Sequence, residues 1–421
     1  MSWARWVPLL MLSAGCVVPG QTPDDNDDSD VDTPDDPTDD SDDDTLPVRP
    51  WEMTEDIPDG MMPEDGLFRI DKVVDVRLEL SSQARSRLNS DPRSYVPARL
   101  RMYGQTFDVG MRLKGSSTFQ SLDQKPSIKI AFDYSVQGQE LFGYEGFNLH
   151  NCTADAAYTG DVVAHRMLRL AGVPSLKSGY VQVYIDGQLK GLYAIVQRKD
   201  HDWLNEWFSD GSGSLYEGQG CDFTGWGANP GCWNLDQAGD NDTRQDLNDF
   251  LTAMNTNGQA FWNTFGTRMD YDLVVRSFAA EWVLGHWDSY TGNLNNYHLY
   301  HNPTTDQWSL SPWSLDLAWS RPVGGACHTI GVNKAHYRSG SLGSRCQDDR
   351  DCDNLLEQHA DDIMTLIEGY DVRGLFDQIE QTIEPYVRAD PNGPGVQRWR
   401  QEFQCARDFI RNRRPELRLG P

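Results

Sequence analysis

The sequence predicts an α+β protein of two lobes, a β-rich one followed by a helical one. Three observations carry this. Alternating apolar and polar residues, joined by tight-turn signals, run from residue 73 to residue 196. Apolar residues at helical spacing dominate residues 242–285 and the stretch from Asn354 onward. A short hairpin turning at Asn302-Pro303 separates the two helical groups.

Taken in order, Val73 to Leu80 alternates and reads as a strand, followed by a short polar helix, Ser81 to Leu88. Ala98 to Tyr103 and Gln105 to Leu113 form a hairpin around Gly104. Pro126 to Phe132 and Gly146 to Leu149 are further extended runs. Gly160 to Ala171 has helical periodicity, and Gly172 stops it. Tyr180 to Ile185 and Leu192 to Val196 flank an Asp186-Gly187 turn. Asp200 to Phe208 reads as a helix, and residues 209–234 as a loop rich in Gly, Cys and Trp. Helices follow at 242–255, 258–268 and 271–285, then the hairpin Tyr297 to Tyr300 with Gln307 to Ser311. Three amphipathic helices close the chain.

Composition excludes several classes. The 421 residues carry 64 Asp and Glu against 37 Lys and Arg, a net charge of −27. Phosphate neutralisation needs a basic face, so a nucleic-acid partner is not expected. The acidity is uneven: Asp24 to Asp44 holds 13 Asp and no Lys or Arg. Such a stretch repels itself and reads as a solvated tether, with calcium binding as the functional alternative. The 14 Trp, 16 Tyr and 15 Phe supply core material for the rest.

The first residues account for the tether. Arg5 precedes a short apolar run, Trp6 to Leu12, and Ser13-Ala14-Gly15-Cys16 follows. This is the order of a secretory signal, too short to span a bilayer. A Cys directly after small residues resembles a bacterial lipobox, which makes Cys16 the candidate lipidation site; plain secretion is the alternative. The expected division is a signal peptide at 1–15, an acidic tether at 16–66, a β-rich lobe at 67–199 and a helical lobe at 200–421. Seven further Cys allow three bridges and one thiol. Cys221 and Cys232 suit a local bridge. Cys346 and Cys352 pair with each other, or separately with Cys327 and Cys405. Cys152 is the candidate for the odd thiol.

Chemistry concentrates in His286-Trp287-Asp288-Ser289-Tyr290-Thr291-Gly292-Asn293, an H-x-D-x-x-x-x-N loop after a helix and before a hairpin. In protein kinases this spacing places an Asp on the attacking hydroxyl and an Asn on a metal ion. Past the hairpin, Leu315-Asp316-Leu317 stands where a second, Mg²⁺-binding Asp belongs. Asp288 to Asn293 also suits a plain connecting turn, whereas Asp316 among apolar residues needs a partner.

Further residues make the pattern specific. Met111 to Ser117 with Lys125 to Ile130, Phe147 to Leu149, Tyr184 to Gly187 with Gly191 to Tyr193, Asp288 to Asn293 with Asn296-Tyr297, and Pro312 to Leu317 occur in this order. Together they resemble the spore-coat-protein-H (CotH) kinase-like family of atypical, secreted or surface-associated protein kinases. The resemblance implies a two-lobed protein-kinase-like fold, with ATP and Mg²⁺ or Mn²⁺ as cofactors. It implies Asp288 as the catalytic acid, with Asn293 or Asn296 and Asp316 as metal ligands. Arg112, Lys114, Lys125 and Lys129 become candidates for phosphate contacts, Lys129 for the α- and β-phosphates. Gly115-Ser116-Ser117 becomes a backbone cover over the phosphates, with Ser116 at its centre. Gln197 falls on the connection near the adenine. Ser314 stands where many relatives carry Asp. The implied activity is transfer of a γ-phosphoryl group to Ser or Thr of a surface or envelope protein by a lipid-anchored enzyme. A non-catalytic lipoprotein of the same fold, binding protein or glycan, is the alternative.

Trp203, Trp207, Trp226 and Trp233 suit loop pinning or sugar stacking, and Asp349, Asp351 and Asp353 lack the Gly and Glu of an EF-hand. G-x-S-x-G and H-E-x-x-H do not occur, so serine-hydrolase and zincin chemistry have no support.

Overall fold

The computed structural model describes residues 66–239, 244–320 and 332–419. Cys16, the acidic tether and Cys327 lie outside the described residues.

Seven strands close into a barrel: β1 (Val74–Glu79), β2 (Val96–Met102), β3 (Gln105–Lys114), β4 (Ser127–Ala131), β5 (Gly146–His150), β6 (Ser178–Ile185) and β7 (Gln188–Gln197), in the order β1-β2-β3-β4-β5-β7-β6. Both expected hairpins form. Their turns place Tyr103-Gly104 and Asp186-Gly187 at positive φ, the backbone that two-residue turns between right-twisted strands require. Alternation does the rest. Val109, Met111, Leu113, Ile128, Ile130, Phe147, Leu149, Val183 and Ile195 fill the barrel, so their neighbours Arg112, Lys114, Lys129 and Asn148 stand on its outer wall. One feature departs from the sequence reading: β1 pairs in parallel with β6, which closes an otherwise antiparallel sheet.

Residues 209–234, expected as a loop, contain β8 (Leu215–Gly218) and the start of β9 (Trp233–Gln237). These join the hairpin β10 (Tyr297–Asn302) and β11 (Gln307–Pro312) in a second sheet ordered β11-β10-β8-β9. The helix Tyr271–Val283 is buried along most of its length and packs on β11 and on the helix Arg350–Gly369. The C-terminal amphipathic helices form at Arg350–Gly369, Val372–Ala389 and Val396–Arg411. Asp349, first of the D-x-D-x-D run, caps Arg350–Gly369 by accepting from the amides of Asp351 and Cys352. Trp203 and Trp233 are buried, which fits pinning rather than sugar stacking. Disulfides join Cys221 to Cys232 and Cys346 to Cys352; Cys405 is also disulfide-bonded, and Cys152 is a free, buried thiol.

Candidate functional site

The helix Tyr271–Val283 ends in a left-handed Gly285, a glycine C-terminal stop, and delivers the chain to His286. His286 is buried and donates from Nε2 to the carbonyl of Trp313 at 3.0 Å. Two residues on, Asp288 is half-buried and gripped by three amides. Asn293 Nδ2 reaches its Oδ1 at 2.7 Å. Asn296 Nδ2 reaches Oδ2 at 2.9 Å and the Asp288 carbonyl at 2.8 Å, and Asn295 Nδ2 reaches Oδ2 at 3.3 Å. Each amide that gives its NH₂ to Asp288 turns its carbonyl oxygen away from that carboxylate. The turn is held from beneath by buried Glu281, whose Oε2 accepts from Ser289 Oγ at 2.7 Å, from the Thr291 amide at 3.0 Å and from Thr291 Oγ1. Burial pushes the Glu281 carboxyl up to about 7.

Asp316 arrives from the other side. The Trp313 amide bonds the Asn296 carbonyl at 3.0 Å, so β10 and β11 carry both loops to one place. Ser314 then adopts a left-handed conformation, and Leu315–Leu317 makes one tight turn. This turn lies against the π-helix Gly160–Ala164. A Cβ on Gly160 would sit 2.5 Å from the Leu315 carbonyl oxygen and 2.8 Å from Asp316 Cα, so only glycine permits the approach. Asp155 fixes that helix start by accepting from the Gly160 amide at 2.5 Å. Burial first, then Asp161, Asp155 and Asp288, push the Asp316 carboxyl up to about 7, with Ser314 Oγ opposing at 3.2 Å from Oδ1.

The barrel contributes the opposite charge. Arg112 on β3, Lys129 on β4 and Asn148 on β5 are register partners in one rung, all buried. Arg112 stands 5.3 Å over the Tyr95 ring, and Asn148 Oδ1 has no hydrogen-bond partner among the described residues. On the next rung Lys114 Nζ lies 3.2 Å from His150 Nε2, and His150 Nδ1 lies 3.0 Å from Asp161 Oδ2. Burial opposes the Asp161 charge, but His150, His165 and Lys114 outweigh it and hold its carboxyl below the usual range. A buried chain of cation, imidazole and carboxylate thus runs from the barrel wall to the neighbourhood of Asp316.

Asp288, Asn293, Asn296 and Asp316 therefore share one neighbourhood, and Lys114 connects to it through His150 and Asp161. Arg112 and Lys129 are adjacent to each other on the wall. Ser116 lies exposed in the turn after a left-handed Gly115. The Gln197 side chain is taken at both ends: its Oε1 accepts from the Lys177 amide at 3.0 Å and its Nε2 donates to Glu206 at 3.3 Å. Lys125 corrects its expectation as a phosphate contact. Its Nζ is buried against Asp390 Oδ2 at 2.8 Å and Tyr158 OH at 3.1 Å. Asp155, His150, Glu281 and Asn295 were not singled out by motif. The one signal for Glu281 is a carboxylate in an otherwise apolar helical run five residues before His286.

The donor set fits a hard divalent cation. It offers one carboxylate under pressure from three others, on a turn tied through Trp313 to the loop of Asn293 and Asn296. Among the described residues no group of three or more His, Cys, Asp or Glu is arranged to hold a metal ion. Mg²⁺ and Mn²⁺ take few protein ligands and complete their shell with phosphate and water.

The family model described as CotH kinase protein matches residues 111–417. No curated protein matches the chain.

Proposed function

The chain belongs to the CotH kinase family, and from that premise we propose that it is an exported phosphotransferase. It moves the γ-phosphoryl group of a nucleotide, ATP first among candidates, to a Ser or Thr hydroxyl on an envelope or surface protein. Its β-rich lobe (67–199) and helical lobe (200–421) form a two-lobed kinase-like fold. A signal peptide (1–15) and an acidic tether (16–66) precede them, with Cys16 as the lipid anchor. Its disulfides and its family point to an extracellular or surface setting. No described helix is long and apolar enough to cross a membrane.

One observation carries the reading: the turn of Asp316 packs against Gly160, and burial with the nearby charges of Asp161, Asp155 and Asp288 raises the Asp316 carboxyl to about 7. Such concentrated like charge marks functional sites more than structural ones. Asp316, with Asn293 or Asn296, would hold Mg²⁺ or Mn²⁺, which supplies charge neutralisation to the phosphates. Arg112 and Lys129 bind phosphate oxygens from the barrel wall, and Lys114 is joined to Asp161 through His150. Asp288, fixed by its amides, orients the attacking hydroxyl and accepts its proton. Positioning and electrostatics are the main sources of rate in such transfer.

Purified protein incubated with labelled ATP and Mg²⁺ or Mn²⁺ tests this. Autophosphorylation that is lost in Asp288→Asn and Asp316→Asn supports the reading. A wild-type protein that neither binds nucleotide nor transfers phosphate overturns it in favour of a binding protein.

A further inference from the structure

The turn that carries Asp288 has a neighbour that phosphoryl transfer leaves without a role: the loop closed by Cys221–Cys232. Consecutive residues at the start of that loop grip the turn. The Gly220 amide donates to the Leu294 carbonyl at 2.6 Å. Tyr297 OH donates to the Cys221 carbonyl at 2.6 Å, and Tyr290 OH donates to Asp222 Oδ1 at 2.8 Å. Asp222 also accepts from the Ser341 amide at 3.0 Å and from Ser341 Oγ at 2.7 Å. Its carboxylate thus bridges the turn to the start of the helix Ser341–Asp348.

The same turn is held from the approach to that helix and its first turn. Ser339 donates from its amide to the Thr291 carbonyl at 2.8 Å and from Oγ to the Gly292 carbonyl at 2.5 Å. The Leu342 amide donates to Tyr290 OH at 3.0 Å. Tyr290 is fully buried, its ring 5.6 Å from Phe223 and 5.7 Å from Phe278. A Cβ on Gly340 would lie 2.2 Å from Tyr290 Cζ, so the chain passes directly over the ring. Asp222 is itself fixed within the bridged loop, its amide bonding the Gly227 carbonyl at 3.0 Å.

We propose that Asp222 is a positioning residue of the transfer site, acting on Asp288 through Tyr290, and that the Cys221–Cys232 bridge sets its place. The site is then assembled only where that disulfide forms. This rests on the phosphotransferase reading, and the test separates the two.

Asp222→Ala, Asp222→Asn, Tyr290→Phe, the Asp222→Ala/Tyr290→Phe pair and the Cys221→Ser/Cys232→Ser pair are compared with wild type. The readouts are amide hydrogen exchange across residues 288–297, kcat and KM for ATP with Mg²⁺, and thermal melting. Expected is a roughly 5–10-fold rise in exchange over the turn and a kcat fall of roughly 10–100-fold with KM nearly unchanged. Asp222→Asn, which keeps an acceptor oxygen, recovers part of both. The Asp222→Ala/Tyr290→Phe pair is no worse than Asp222→Ala alone. Turn exchange that stays at the wild-type rate in these variants overturns the proposal, as does a kcat loss that only follows melting temperature. A wild type without transfer, whose variants still loosen the turn, supports the clamp and counts against phosphoryl transfer.

Discussion

His286 Nε2 donates to the Trp313 carbonyl at 3.0 Å, and this bond, with that of the Trp313 amide to the Asn296 carbonyl, fastens the loop of Asp288 to the segment that leads to Asp316. The histidine of the H-x-D sequence therefore acts as a brace between two loops. Burial drives its imidazole down to about 4, so it stays neutral and keeps its donor at ordinary pH. His286→Ala is expected to slow transfer by roughly 10–100-fold while Asp288 and Asp316 remain present. Activity against pH should show no inflection near 6.5 attributable to His286. Matching pH–rate curves for wild type and His286→Gln, differing in height and not in shape, are the check.

Glu281 and His286 bias stability against pH in opposite directions. The Glu281 carboxyl is raised from 4.5 to about 7 by burial, so the folded chain holds a proton that the unfolded chain releases. Its contribution therefore falls as pH rises from 4.5 through 7. His286, lowered from 6.5 to about 4, refuses a proton that the unfolded chain takes, so its contribution is lost as pH falls from 6.5 through 4. In wild type the two slopes oppose each other. Glu281→Gln keeps an acceptor for Ser289 and Thr291 and removes one slope. Its stability relative to wild type should climb between pH 5 and 8, toward a gain on the order of 3 kcal/mol. Denaturant titrations at a series of pH values measure it, and a flat difference would show that Glu281 is already ionised in the folded chain.

Asp316 is expected to behave as functional residues do, costing stability where it works. Removing its charge relieves repulsion from Asp161, Asp155 and Asp288. Asp316→Asn should therefore melt higher than wild type when no metal is present. It should also lose the further stabilisation that Mg²⁺-ATP gives wild type. Transfer should fall by roughly 10²–10³-fold. Asp288→Asn should slow transfer comparably yet keep the Mg²⁺-ATP melting shift, since the proposed role of its amide-fixed group is toward the hydroxyl. Melting scans with and without Mg²⁺-ATP distinguish the two variants.

Much of this was legible because it is local. The Asp186-Gly187 and Tyr103-Gly104 turns, the helix after Asp200 and the H-x-D-x-x-x-x-N loop each rest on neighbours within a few positions. What escaped is long-range. Closure of the barrel by β1 and β6 joins segments about a hundred residues apart, with no turn to announce it. Strands β8 and β9 hide among Gly, Cys and Trp because their pairing is set by the bridge and by β10, not by their own alternation. Asp155 and Asp161 look like ordinary helix-start acids until Gly160 lets Asp316 come alongside.

Lys125 shows the same limit and supports the last prediction. On sequence it stands at a strand start, among cations suited to phosphate; in the fold its partner Asp390 is 265 positions away. Both side chains are buried, 3% and 0% exposed, so neither charge is screened by water. Asp390 Oδ2 also accepts from Tyr158 OH at 3.1 Å and from the Leu192 amide at 3.0 Å, and Oδ1 accepts from the Asn392 amide at 2.8 Å. Gly191 makes room, since a Cβ there would lie 2.1 Å from Asp390 Oδ1. The pair ties the barrel to the end of the helix Val372–Ala389. Removing one partner strands a buried charge, so Lys125→Met should cost about 3–5 kcal/mol. Lys125→Met with Asp390→Asn should cost clearly less than the two single changes added together, because no bare charge remains. Below its melting temperature each variant should bind Mg²⁺-ATP as wild type does. Denaturant unfolding and nucleotide calorimetry on the same preparations are the measurements; a Lys125→Met protein of full stability and weakened ATP affinity would return Lys125 to the phosphate site.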